Sequence, residues 1–144
     1  MIKWLIFLHL SGAAIWVGGH LILSLRYLPE ALKQKNPDSI LHFEKKYETI
    51  GIPALIIQVI TGIWLALLYH IKWFSFHSTQ EKVFSLKLIL LLLTIILAIH
   101  ARLVIIPRLS SDRLGLLAVH IIGVTSIAVI MVYLGISYRF GYIF

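Results

Sequence analysis

The sequence predicts an all-α protein, an integral membrane four-helix antiparallel bundle, and three observations carry that prediction. Of 144 residues, 60% are apolar and only 13% charged, with no long polar segment, so there is too little polar surface to coat a soluble globule. The apolar residues gather into four runs at about 4–27, 50–69, 83–106 and 114–138, each close to the ~20 residues a helix needs to cross the hydrocarbon. The last connection, RLSSDRLG, is short enough to force its two spans to run antiparallel. A single domain over 1–144 follows.

The first span opens with Trp4 and runs through LHLSGAAIWVGGHLIL, where Gly12, Ala13, Gly18 and Gly19 allow close approach of a neighbouring backbone. Its apolar stretch exceeds the ~7–15 residues of a secretory-signal core, so it is expected to stay as a span. Pro29 and the polar stretch EALKQKNPDS are expected to end it. The segment ILHFEKKYE at 40–48 reads as a short amphipathic helix lying at the membrane surface. The second span starts with Pro53 in its first turns, carries Gln58 and Gly62, and finishes at His70. Trp73, Phe74 and Phe76 form an aromatic belt before the third span. That span has Lys87 in its first turn and His100 near its far end, and it stops at Pro107. The fourth holds His120, Gly123, Met131, Tyr133 and Gly135 before the aromatic tail YRFGYIF.

Charge gives an orientation. The first loop carries five Lys and Arg (Arg26, Lys33, Lys35, Lys45, Lys46), and the third, with the end of the third span, carries three (Arg102, Arg108, Arg113). The other side has four: Lys3, Lys72, Lys82 and Arg139. Eight against four predicts cytoplasmic first and third loops, with both termini on the periplasmic side of a bacterial inner membrane. The net charge of +7 thus reflects topology. No nucleic acid is expected, because the bases form no stripe with interleaved aromatics. The absence of cysteine excludes disulfides, thiolate metal sites, iron–sulfur clusters and thioether-linked haem.

Ionisable residues in spans are costly and point to function by default, although a neutral imidazole also serves as interhelical hydrogen-bond glue. Every span carries a histidine inside it or at its end: His9, His20, His70, His100 and His120. His100 lies ten positions before residue 110 and His120 ten after it, which puts them at one depth in an antiparallel pair. His20 falls at a similar depth, so His20, His100 and His120 are expected to cluster. His9 and His20 are eleven apart, about 20° out of phase on a helix, with Trp16 between them. Met131 stands eleven after His120 and shares its face, near the depth of His9. His70 lies at the membrane surface, and His42 and His77 read as solvated loop residues.

Two levels of imidazole and thioether suit a b-type haem standing between helices, with Gly12, Ala13, Gly19 and Gly123 making room for the ring. They also suit copper, for which imidazole and methionine are good ligands. Lys87 either snorkels to the interface or pairs with a haem propionate, and Met131 either binds metal or simply packs.

The stretches LHLSGAAIWVGG, FEKKYETIGIPALIIQVITGIWLAL, SLKLILLLL, HARLVIIPRL and GISYRFGY together resemble the CopD-like copper-resistance membrane proteins. A more distant similarity is to HemJ-type protoporphyrinogen oxidases, which share a first-span LH, a following W-x-x-G and a K-L opening the third span. The resemblance covers most of the chain. It implies roles for His9, Trp16, Gly19 and Lys87, and the HemJ likeness implies b-type haem with a third-span histidine, here His100. The Lys87–His100 spacing is wider than in HemJ, and His20 and His120 are additional.

The leading expectation is a membrane b-type cytochrome that binds haem b, with a copper ion as a further metal, and acts in electron transfer or small-oxidant redox chemistry. Copper transport or tolerance without redox catalysis is the alternative, with HemJ-like protoporphyrinogen oxidation a third. Any catalysis would be that of an oxidoreductase. The expected partners are the lipid bilayer, a redox partner and a second copy of the chain in a homo-oligomer.

Overall fold

The computed structural model of the protein describes residues 1–110 and 113–143. Positions 111 and 112, in the turn expected between the third and fourth spans, and residue 144 of the aromatic tail lie outside the described residues. The described residues form five α-helices: α1 (Ile2–Ile22), α2 (Leu28–Gln34), α3 (Asp38–Leu68), α4 (Thr79–His100) and α5 (Leu114–Phe140). The described residues contain no strand. Four continuous helical segments, Ile2–Gln34, Asp38–Leu68, Thr79–Arg108 and Leu114–Phe140, are long and apolar enough to cross a membrane. The protein is an integral membrane bundle, as the composition predicts.

Three boundaries differ from those expected, each for an identifiable reason. The first span does not end at Pro29. A π-helical turn, Leu23–Tyr27, closes with the Leu28 amide donating to the Leu23 carbonyl five residues back, and Pro29 then occupies the first turn of α2. A proline inside a helix clashes with the carbonyl four residues before it; the extra residue of the π turn moves that carbonyl aside. The helix instead ends at Lys35, whose left-handed φ of 51° terminates α2. The same device recurs before Pro107, where Ala101–Ile105 is a π turn and the Ile106 amide donates to the Ala101 carbonyl.

The segment 40–48 is not a separate surface helix but the opening of α3, which continues through Pro53 to Leu68. Its apolar side is satisfied by protein rather than by lipid: Ile40 is fully buried and Phe43 packs on Tyr27 and Tyr47. The third span, in turn, starts four residues before Val83. Ser78 caps α4 by accepting from the Glu81 amide at 3.2 Å, and Glu81 reaches back to the Ser78 amide. This capping box satisfies two otherwise unpartnered amides and fixes the start at Thr79.

In space, α1 lies between α3 and α5, and α5 lies between α1 and α4. The order around the bundle is therefore α3, α1, α5, α4, and the Glu48–Arg102 ion pair brings the far end of the third span back to α3. The densest apolar cluster sits at the end that carries the α2–α3 connection. There Leu23, Leu28, Ala31 and Ile40 meet Ile105, Leu114, Leu117, Ala118 and Ile121. At this end the chain emerges from lipid, so burial stabilises by about 1.5–3 kcal/mol per large aliphatic side chain. That cluster holds the π-turn ends of the first and third spans against the start of α5.

Candidate functional site

The histidines fall into one pair and two separate sites. His100, the last residue of α4, and His120, in the second turn of α5, stand six residues from Ile106 and Leu114 respectively. That is about 9 Å inside the ends of the apolar runs. The Nδ1 of His100 lies 2.9 Å from the Nε2 of His120. The ring centroids are 5.0 Å apart with planes 21° from parallel. The centroids are thus 2.1 Å further apart than the nitrogens (5.0 − 2.9), so the nitrogens point at each other between the rings.

Tautomers follow from the acceptors. A carbonyl can only accept, so the His120 Nδ1–H donates to Leu116 O at 3.0 Å, and its Nε2 carries the lone pair. His100 then donates its Nδ1–H to that lone pair. In its other tautomer His100 turns a second lone pair to the same point, and the two nitrogens become opposed ligands for one ion. His100 is exposed on the outer surface of the bundle and His120 half-exposed.

His20 does not join this pair. Its Nδ1–H donates to Trp16 O at 2.9 Å, and its ring lies 4.3 Å from that of Trp16 and 5.9 Å, edge-on, from Tyr47. Among the described residues no three His, Asp or Glu side chains converge as a metal-ligating group. The matched depth of His100 and His120 brings those two together, but depth does not set azimuth. His20 faces α3, whereas His100 and His120 meet on the far side of α5. Thr125 of α5 donates to the His20 carbonyl at 3.2 Å, so it is the backbone of His20, not its ring, that meets α5.

His9 also faces α3. Its Nδ1–H donates to Gln58 O at 2.9 Å, with Thr61 Oγ1 at 3.2 Å. Gly62 is the reason the ring fits, since a Cβ there would stand 2.9 Å from His9 Cε1. His9 and His20 therefore do share one face of α1, and each presents a free Nε2. Lys87 is half-buried on α4, with its Nζ 3.3 Å from where a Cβ on Gly135 would sit. It lies within electrostatic range of His9. The Oε1 of Gln58 is buried without a hydrogen-bond partner. Met131 is half-buried on α5 one turn before Gly135, far from the His100–His120 pair. His70 is exposed at the end of α3 in a left-handed conformation, φ 53°.

Two of the four small residues expected to admit a ring, Gly12 and Gly19, are already in use. A Cβ on Gly12 would stand 2.7 Å from Ala54 O, and one on Gly19 would stand 2.2 Å from two ring carbons of Tyr47. These glycines let α3 close on α1. Trp16 stacks in the same place, packed against His20 and Tyr47.

Two features were not anticipated. Tyr47, whose hydroxyl donates to Ile15 O and Trp16 O at 3.0 and 3.1 Å, lies on the segment expected to be a surface helix. The π turns begin three residues after His20 and immediately after His100. Such turns are frequent at functional sites, and a proline placed shortly after an intramembrane histidine was their sequence signal. Comparisons with protein-family models, with curated proteins and with solved structures found no match for this chain.

Proposed function

We propose that this protein binds a copper ion inside the membrane through His100 and His120, as a copper-tolerance or copper-passage protein. The single observation that carries the reading is the head-on approach of the two imidazole nitrogens at 2.9 Å. Metal–imidazole bonds are about 2.0 Å long, so an ion between them needs the nitrogens about 4 Å apart. A parting of the two rings by about 1 Å supplies that gap. Imidazole is a good copper ligand. The backbone bond from His120 Nδ1 is the outer-shell contact that orients a ligating imidazole. The resemblance of the helix sequences to copper-resistance membrane proteins points the same way.

The pair suits a single ion rather than a macrocycle. The His100 nitrogen that faces His120 is Nδ1, adjacent to the ring carbon that joins the backbone, and a porphyrin plane there would run into the helix. Haem b keeps support elsewhere, as a second reading: His9 and His20 each have Nδ1 anchored to a carbonyl and Nε2 free, the form an axial ligand takes. A haem held by either would supply one-electron chemistry. Lys87 would then be a cation available to a propionate.

Titration of the purified protein with monovalent copper against a coloured chelator tests the first reading. One tight site is expected, lost in His100→Ala and in His120→Ala but kept in His9→Ala. A wild type that takes no copper, or an undiminished site in His120→Ala, refutes it. The optical spectrum tests the second, which requires a Soret band that His9→Ala or His20→Ala removes.

A further inference from the structure

The opening of α3 sorts its charges by face. Glu44 and Glu48, four residues apart, lie on the side of Arg102, and Glu48 forms an ion pair with it. His42, Lys45, Lys46 and Thr49 occupy another face at i, i+3, i+4 and i+7, all exposed, and they line a recess of about 590 Å³. Among the described residues neither Lys45 nor Lys46 enters an ion pair. The same face continues into the membrane: at 100° per residue, Ile56 and Ile60 fall within about 20° of the line through Thr49. Both are exposed, at 52% and 55%. Ile60 also opens a second, apolar recess with Ile63, Trp64 and Leu67.

We infer that this face of α3 is a binding site for one anionic phospholipid. The headgroup phosphate sits among Lys45, Lys46 and His42, and an acyl chain runs along Ile56 to Ile60. The dimensions agree. Thr49 and Ile60 are eleven residues apart, about 16 Å of helix, and half of a ~30 Å hydrocarbon core is about 15 Å. An acyl chain of one leaflet therefore ends where the second recess begins. Lysines at the membrane surface attract anionic headgroups, and the exposed apolar stripe that continues from them gives one acyl chain a path. Glu48, the acidic residue next to Thr49, is paired with Arg102. This inference is independent of copper or haem.

The test is native mass spectrometry of the full chain released from vesicles of equal phosphatidylglycerol and phosphatidylcholine. Retained lipid is expected to be enriched in phosphatidylglycerol by about tenfold or more, and Lys45→Gln/Lys46→Gln should bring the ratio close to that of the vesicle while circular dichroism keeps the helical content. Added inorganic phosphate should leave the lipid in place, because phosphate has no chain to lie along Ile56 and Ile60. Equal retention of the two lipids, enrichment that survives the double variant, or displacement by free phosphate would each overturn the proposal.

Discussion

At the scale of single residues, the packing of α1 on α3 depends on the absence of side chains. Gly19 gives its space to the Tyr47 ring, whose hydroxyl then reaches two carbonyls of α1. In Gly19→Ala the ring must move and both hydrogen bonds are lost, so we expect about 1–3 kcal/mol of destabilisation, read as a lower melting temperature in detergent. The cause is checked in a Tyr47→Ala background, where adding Gly19→Ala should cost almost nothing because the two changes share one contact. A full additive penalty there would show that Gly19 acts through something other than Tyr47. The pairing of His100 with His120 was legible in the sequence, because equal distances from one short turn set equal depths. The place of His20 was not. Its azimuth depends on Tyr47, which lies on a segment whose polar residues mimic a surface helix.

At the scale of elements, hydropathy locates the four spans because lipid demands that every backbone group be satisfied within a helix. It does not locate their ends, which local hydrogen bonding decides. The Ser78–Glu81 capping box was readable in STQE, yet the apolar run beginning at Val83 masked it. Ser78→Ala should cost about 1 kcal/mol of helix stability, and hydrogen exchange at the Glu81 amide should quicken, while Thr94 in mid-helix stays protected. Unchanged exchange at Glu81 would mean that the Ser75 hydroxyl, 2.6 Å from the Glu81 carboxylate, holds the turn by itself. The π turns were harder to foresee. Pro29 and Pro107 read as helix stops; the third span does end there, at Arg108, whereas the widened turn before Pro29 lets the first carry on to Gln34.

At the scale of the whole molecule, α3 and α4 do not pack along their lengths, and the Glu48–Arg102 ion pair links α3 to the π turn that follows α4 at the end that carries the α2–α3 connection. The side chains of this pair are 34% and 57% exposed, so it contributes no more than about 1 kcal/mol to stability. Its consequence is geometric. Arg102 lies in the π turn directly after His100, so the position of α3 bears on the helix that supplies half of the imidazole pair. The chain has no cysteine, so spin labels on Ile50→Cys and Leu103→Cys, both exposed, report the separation of α3 and α4 without background labelling. With Glu48→Gln the distance distribution should broaden and shift outward while the melting temperature hardly changes, and high salt should move the wild type the same way by screening the pair. If the distribution in Glu48→Gln matches the wild type, α3 and α4 are held by the apolar cluster around Ile40 and Ile105 alone, and the ion pair does not position His100.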